Sequence, residues 1–396
     1  MMKIIHTADW HIGQTFFDYD RKPEHIHFLD WLKNQVSELN VDVLLIAGDV
    51  FDSPNPSAES QRMYYHFLRD ITSENPDLQI IIIAGNHDSA ARLEAPNPLL
   101  EDMNISIRGI VKRTADGGID FNHLVVPLNK GGYCLAVPYL RQGDYPDAET
   151  YGQGVRRMYE AIYETVKEKD QPVIALGHLQ ATGSEISEND RSERTVIGGL
   201  ECVSPDAFSK NITYTALGHL HRAQRVSGRE NVRYAGAPLP MSFAEKNNRQ
   251  GVTLVEITDT VKIERIDFEA PVKLLSIPTW PLSFDEVLKE IEQLPEGEID
   301  ATSPFLEIKI RITEPEPSLR YNIEEALKTK SVRLARIVAV TPKQEKEEES
   351  TITFEQLQTI NPLEIATDIF RRRYGGEEMP QRMKTLLQNV IQEVES

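Results

Sequence analysis

The sequence predicts an α/β layered domain, a small α+β module behind it, and a helical C-terminal stretch. Three patterns predict this. Through residues 1–270, short β-branched runs recur at Lys3–His6, Asp42–Ala47, Gln79–Ala84, Cys134–Val137, Val173–Leu176, Thr213–Ala216, Val232–Tyr234 and Val252–Ile257. Between the early runs lie segments of helical periodicity, His27–Leu39 (Phe28, Leu32, Val36, Leu39) and Ser57–Ile71. Beyond Pro271 the pattern changes to shorter alternating strands and capped helices.

Apolar strands separated by helices are expected to be buried on both faces, as in layered α/β domains. The later runs have no long helix between them, so the sheet is expected to be mixed. In the second part, Val272–Pro278 reads as a strand, and Ser283 with Glu286 forms a capping box that opens a helix to about Leu294. Leu306, Ile308, Ile310 and Ile312 alternate with Glu307, Lys309 and Arg311, the period of a half-exposed strand. A short helix near Ile323–Lys328 and a strand near Leu334–Val340 complete the module. The run Lys343–Ser350 (KQEKEEES) is a charged linker. Thr353 with Gln356, Asn361–Pro362 with Glu364, and Pro380 announce further helices. The last carries Met383, Leu386, Leu387, Val390, Ile391 and Val394 on one stripe, to about Val394. So short a helical pair cannot bury both apolar faces by itself, which points to a docking surface. The expected divisions are 1–270, 271–342, 343–352 and 353–396.

At 396 residues the chain exceeds one ordinary domain. Hydrophobic residues make up 40% and charged residues 27%, a balance that excludes wholesale disorder. No apolar run approaches the ~18 residues of a membrane helix, and MMKIIHTADW lacks a secretory pattern. Only Cys134 and Cys202 are present, so no disulfide framework is implied, and a reducing cytoplasmic setting is expected. With 62 acidic against 43 basic residues the net charge is −19, and bulk composition shows no basic footprint of a nucleic-acid binder. That leaves room for a site whose positive charge comes from metal ions or a partner.

The chemistry concentrates in five short segments: Asp9-Trp10-His11, Gly48-Asp49-Val50-Phe51-Asp52, Gly85-Asn86-His87-Asp88, Gly177-His178 and Gly218-His219-Leu220-His221. Each follows an apolar strand, and ligands of open α/β sheets gather at the carboxyl ends of strands. Asp9 and His11, like His219 and His221, are two apart, so an extended backbone turns each pair to one side. Carboxylates, imidazoles and one amide oxygen suit Mn²⁺, Fe²⁺ or Zn²⁺ better than Mg²⁺. Seven candidates are too many for one tetrahedral ion and about right for two ions sharing a carboxylate. Such a pair, ~3.5–4 Å apart, suits in-line phosphoryl displacement. Five of the ten histidines fall in these motifs; His6, His25, His27, His66 and His123 are read as structural or surface residues.

In order, the five motifs resemble those of the calcineurin-like metallophosphoesterases. HTADWHIGQ, AGDVFDSPNPS, IAGNHDSAARLE, ALGHLHRAQ and YAGAPLPMSFAE (Tyr234–Glu245) further resemble the SbcD family, the nuclease subunit of SbcCD complexes. The resemblance implies a layered β-sandwich flanked by helices, a small α+β DNA-capping domain and a C-terminal helical pair. It implies one ion held by Asp9, His11, Asp49 and His221, and a second by Asp49, Asn86, His178 and His219. His87 would be the catalytic histidine that protonates the leaving 3′-oxygen, oriented by Asp52, with Asp88 a second candidate for that support. Some relatives carry histidine at the position of Asp52. Arg92, Arg141 and Arg222, near the motif loops, are candidates for contacting DNA.

The expected activity is Mn²⁺-dependent double-strand exonuclease and single-strand or hairpin endonuclease action in DNA repair. The resemblance implies a homodimer within a heterotetramer, built through the helices after the first two motifs. The resemblance also implies that an SMC-like ATPase of the SbcC type docks on the C-terminal helices; it would hydrolyse the ATP, since no GxxxxGK[ST] loop occurs in this chain. Two other readings remain: a phosphoesterase acting on small phosphodiesters or phosphoproteins, and a scaffold that has lost the chemistry. The presence of all seven ligand candidates and His87 ranks the scaffold last.

Overall fold

The computed structural model describes residues 1–181, 184, 202–312, 316–341 and 379–386. It divides into two units, Met1–Val340 and Thr341–Ser396. Through Asp267 the strand runs assemble into two six-stranded sheets, the layered sandwich that the resemblance implied. The first has the order Val261–Asp267, Gly251–Ile257, Met2–Thr7, Val43–Ala47, Gln79–Ile83, Ile105–Arg108. Met2–Thr7 pairs in parallel with Val43–Ala47 and antiparallel with Gly251–Ile257, so the sheet is mixed. The second runs Gln224–Val226, Arg229–Tyr234, Tyr214–Gly218, Val173–His178, Tyr133–Ala136, Val125–Pro127.

Strand pleating explains how the two sheets stack. Ile4, Val43, Leu45, Ile81 and Ile83 point from the first sheet into a shared core with Cys134, Ala136, Ile174, Leu176 and Ala216 from the second. Ile5, Leu44, Ile46, Ile80 and Ile82 point the other way, onto Phe28, Leu32 and Val36 of the helix Lys22–Leu39 and onto Tyr64, Phe67 and Ile71 of the helix Ala58–Glu74. Both faces being covered, Val43–Ala47 and Gln79–Ile83 are buried throughout. The helix Ala58–Glu74 starts where Ser57 accepts the backbone N–H of Ser60, 3.0 Å away. The first helix begins earlier than His27 because Pro23 suits its first turn, and it ends on Asn40 in the left-handed region.

One expectation fails. The later strands are not free of long helices: Tyr151–Glu164 lies between two strands of the second sheet, and its Val155, Met158, Tyr159 and Ile162 cover that sheet's outer face. The spacing is helical, but Gly152 and Gly154 dilute the signal.

A third sheet, Leu274–Leu282, Phe305–Arg311 and Arg333–Val340, is parallel throughout. Its helices Phe284–Glu292 and Leu319–Leu327 pack on Leu306, Ile308 and Ile310. At the first helix the Glu286 carboxylate accepts the Ser283 backbone N–H at 3.0 Å. The opposite face is solvated at one end only: Arg311 is exposed and Lys309 half-buried, as the alternation suggested, but Phe305 and Glu307 are buried. Phe305 joins Phe16, Phe243 and Val272 in a second small core, and Glu307, 3% exposed, accepts Arg336 Nε at 2.6 Å. Cover at this end of the face removes Glu307 from water, and Arg336 supplies its counter-charge.

Of the unit Thr341–Ser396 the described residues are 341 and 379–386, with 381–386 helical. The charged run Lys343–Ser350, the helices expected after Thr353 and Asn361, and the rest of the helix from Pro380 lie outside the described residues. No helix among the described residues is long and apolar enough to cross a membrane.

Candidate metal centre

The site forms where strands of the two large sheets end side by side. Met2–Thr7 leads to Asp9 and His11, Val43–Ala47 to Asp49, and Gln79–Ile83 to Asn86 and His87. From the second sheet, His178 closes Val173–His178, while His219 and His221 follow Tyr214–Gly218. The first two loops are laced together: Asp9 N–H donates to Gly48 O and His11 N–H to Asp49 O, each at 3.0 Å. Asp9, His11 and Asp49 hold φ values of 54°, 48° and 49°, and His219 holds 103°. Non-glycine residues rarely adopt this region, and clusters of them mark functional sites. Gly85 packs so closely that a Cβ there would collide with the Asp49 carboxylate.

Asp49 is the hub. Its Oδ2 lies 3.3 Å from His178 Nε2 and 3.8 Å from His11 Nε2, and its Oδ1 accepts the His87 backbone N–H at 2.8 Å. Asn86 Oδ1 sits 2.9 Å from His178 Nε2 and 3.0 Å from His219 Nδ1. Asp9 Oδ1 accepts the His219 backbone N–H at 2.9 Å. Potential ligand atoms of Asp9, His11 and His221 lie within 4.8 Å of one another, as do those of Asp9, Asp49 and His178. Asp9, Asp49, His11, His178 and His221 are all buried. The structure thus brings all seven candidate ligands into one pocket.

Three buried atoms in this cluster have no hydrogen-bond partner: Asp9 Oδ2 and both ring nitrogens of His11. Leaving such groups unpaired is costly; a bound cation would account for Asp9 Oδ2 and one His11 nitrogen, while His11 Nδ1 faces the Asp52 carboxylate at 3.4 Å. The charge balance points the same way. Burial opposes ionisation of Asp49, yet His178, His11 and His87 outweigh it and hold the carboxyl well below its ordinary range. Burial pushes the Asp9 carboxyl up, against the pull of His178 and His221. His178 is lowered by burial but raised more strongly by Asp49 and Asp9, to about 9, whereas burial and His178 drive His219 down to about 3. The two buried carboxylates thus favour positive charge beside them, which a cation held here would supply. The donor set fits divalent cations of the Mn²⁺, Fe²⁺ or Zn²⁺ kind.

Two supporting roles differ from expectation. His87 Nδ1 lies 2.9 Å from the backbone carbonyl of Asp52, so it is the main chain, not the carboxylate, that orients the ring. The Asp52 carboxylate lies beside both rings, with Oδ1 3.4 Å from His11 Nδ1 and one oxygen within 4.8 Å of a His87 ring nitrogen. Asp88 does not support His87 either. Its Oδ2 accepts N–H groups of Gly85 at 2.9 Å and Val50 at 3.2 Å, and its Oδ1 that of Phe51 at 3.0 Å. It ties the Asp49 loop to the Asn86 loop. Burial and Asp49 push its carboxyl up to about 6, against those three N–H groups.

Among the arginines, Arg141 stacks over Tyr139, whose ring meets His178 edge-on at 6.2 Å. Arg92 is bonded to Asn55 in the loop after Asp52, and Arg222 is exposed beside His221. One residue went unassigned in the sequence: Glu245, buried with Oε1 3.2 Å from His221 Nδ1. A carboxylate closing the mostly apolar stretch PLPMSFAE was its signal.

Sandwiched sheets with a histidine–carboxylate cluster at their shared end define a calcineurin-like phosphoesterase, whose family model matches residues 2–223. A second model, described as a type 5 capsule protein repressor C-terminal domain, matches residues 271–375. The SbcD component of the Rhodobacter capsulatus nuclease SbcCD is 37% identical over 86% of this chain and 88% of its own length. Its Escherichia coli K12 counterpart is 27% identical over 98% of this chain and 97% of its own. That of Bacillus subtilis is 31% identical over 64% and 66%. The chain belongs to the SbcD family of SbcCD nucleases and is a metal-dependent phosphodiesterase.

Proposed function

We propose that the chain is the Mn²⁺-dependent nuclease component of an SbcCD-type DNA repair complex, cutting double-stranded ends as an exonuclease and single strands or hairpins as an endonuclease. The observation that carries this reading is the Asp49 carboxylate, buried between the imidazoles of His11 and His178 with Asn86 close by. One ion would be held by Asp9, His11, Asp49 and His221, the other by Asp49, Asn86, His178 and His219. Two such ions supply an activated water and neutralise charge on the phosphoryl oxygens.

The chain's own groups do the rest. A carbonyl is only an acceptor, so the Asp52 carbonyl keeps the proton of a neutral His87 on Nδ1. When the ring is charged, Nε2 carries the proton offered to the leaving 3′-oxygen. The His87 backbone N–H holds Asp49 Oδ1, leaving Oδ2 toward His178 and His11.

For partners we propose DNA, an SbcC-type SMC-like ATPase docking on residues 353–396, and a second copy of the chain, in a cytoplasmic heterotetramer. The module at 271–342 would cap the site over DNA. A groove between the helices Lys22–Leu39 and Ala58–Glu74, lined by Ile26, Leu29, Met63 and Phe67, supports the dimer.

The test compares Mn²⁺-dependent cleavage of single-stranded and hairpin DNA by wild type, Asp49→Ala and His87→Ala, with bis-nitrophenyl phosphate alongside. The reading expects DNA cleavage that both variants lose. Cleavage of the small diester alone, even with the ATPase partner present, would favour a small-substrate phosphoesterase.

A further inference from the structure

Glu245 is the buried acid that the catalytic reading leaves without a role. Its side chain is almost wholly removed from water, and both carboxylate oxygens are engaged. Oε1 lies 3.2 Å from His221 Nδ1, and Oε2 accepts the Met241 backbone N–H at 2.9 Å. A buried carboxylate is tolerated only when paired and hydrogen-bonded, so its position is tightly specified.

The turn that delivers it is also fixed. Glu245 ends the single 3₁₀ turn Phe243–Glu245. The Phe243 ring packs against Phe16 and Phe17, with centroids 5.4 and 5.8 Å away, and the Arg336 guanidinium of the small sheet lies 5.3 Å from its centre. The carboxylate is therefore anchored by its own turn, by the aromatic cluster and by the small sheet, and on the metal side it meets the His221 ring.

We propose that Glu245 is a positioning residue of the metal centre: it holds the proton of His221 on Nδ1 and presents Nε2 to the ion shared with Asp9, His11 and Asp49. The inference rests on the two-ion reading given above. A carboxylate behind a coordinating imidazole fixes the ring's tautomer and orientation and raises its basicity, and losing it costs roughly 10–100-fold in metal affinity. Asp52, 3.4 Å from His11 Nδ1, offers the neighbouring ligand a similar but half-exposed carboxylate. The buried Glu245 is the stronger of the two.

Two measurements on the full chain test this. Calorimetric Mn²⁺ titrations compare wild type, Glu245→Gln, Glu245→Ala and His221→Ala, with thermal unfolding to confirm that each variant folds. Glu245→Ala is expected to weaken one of the two binding events about 10–100-fold, and Glu245→Gln, which keeps one acceptor oxygen, by less. Nitrogen-15 histidine NMR of metal-free wild type, at a pH where the ring is neutral, is expected to find His221 in the Nδ1–H form. Unchanged affinity in a folded Glu245→Ala variant, or an Nε2–H ring, overturns the proposal. If Glu245→Ala does not fold, the NMR result alone decides. Wild-type affinity in His221→Ala would instead remove the ligand assignment beneath it, and the proposal with it.

Discussion

His87 donates through Nδ1 to the main-chain carbonyl of Asp52, 2.9 Å away, while the carboxylate of the same aspartate faces His11. The acceptor that orients His87 therefore survives any substitution at position 52 that preserves the loop. Asp52→Ala is expected to cost less than about tenfold in kcat on DNA. His87→Ala, which removes the proton donor itself, is expected to cost ~10²–10⁴-fold. The loss should shrink on bis-nitrophenyl phosphate, because nitrophenolate departs without a proton. Steady-state kinetics on both substrates check the pattern, and equal losses for the two variants on DNA would refute it.

Asp88 predicts a stability effect rather than a catalytic one. Its carboxylate satisfies the N–H groups of Val50, Phe51 and Gly85, and alanine leaves three buried donors unpartnered. At ~1–3 kcal/mol for each unsatisfied group, Asp88→Ala should lose at least ~3 kcal/mol. Urea denaturation measures this directly. A midpoint within error of wild type would show that the two loops do not depend on Asp88.

Acid should weaken the fold through His6. Burial and the Arg265 charge lower its pKa from 6.5 to about 3, and its Nδ1 meets the Tyr214 hydroxyl at 2.9 Å. Between those two values the unfolded chain binds more protons than the folded one, so stability is full above pH 6.5 and falls as pH drops toward 3. By pH 5 this one group removes about 2 kcal/mol. His25, lowered to about 4 by burial and Arg21, acts with the same sign. Denaturation at pH 7 and pH 5 should show a smaller difference for His6→Gln than for wild type. An identical slope would mean that His6 is protonated in the fold.

Much of this site was legible in the sequence because each ligand follows a strand-like run, uninterruptedly apolar before Asp49 and Asn86, and glycines beside Asp49, Asn86, His178 and His219 announce close backbone approach. What was not legible concerns which atom of a residue does the work. Spacing shows that Asp52 is near His87, but only the path of the loop shows that its carbonyl, and not its carboxylate, makes the contact. Asp88 reads as a turn residue until three N–H groups are seen converging on it. In the fold, the strand Val261–Asp267 was missed because Arg265, turned inward to the Ala235 carbonyl, breaks the alternation that Val261, Lys262, Ile263 and Glu264 begin. Glu307 looked solvated because nothing in its own strand reveals that a second core covers that face.

Metal removal should act on stability as well as activity. Chelation leaves Asp9 Oδ2 and the His11 nitrogens buried without hydrogen-bond partners. Adding Mn²⁺ at about 100-fold over Kd should raise stability by ~2.7 kcal/mol per site. The thermal midpoint should rise in wild type and stay nearly still in Asp49→Ala. A shift of equal size in both would place the binding elsewhere.

The central claim is that two ions share Asp49, and electron paramagnetic resonance of the chain titrated with Mn²⁺ tests it most directly. The account predicts two ions per chain, with the exchange-coupled signal of a close pair that Asp49→Ala abolishes. One uncoupled ion per chain at saturation, in protein that still cleaves phosphodiesters, would contradict it.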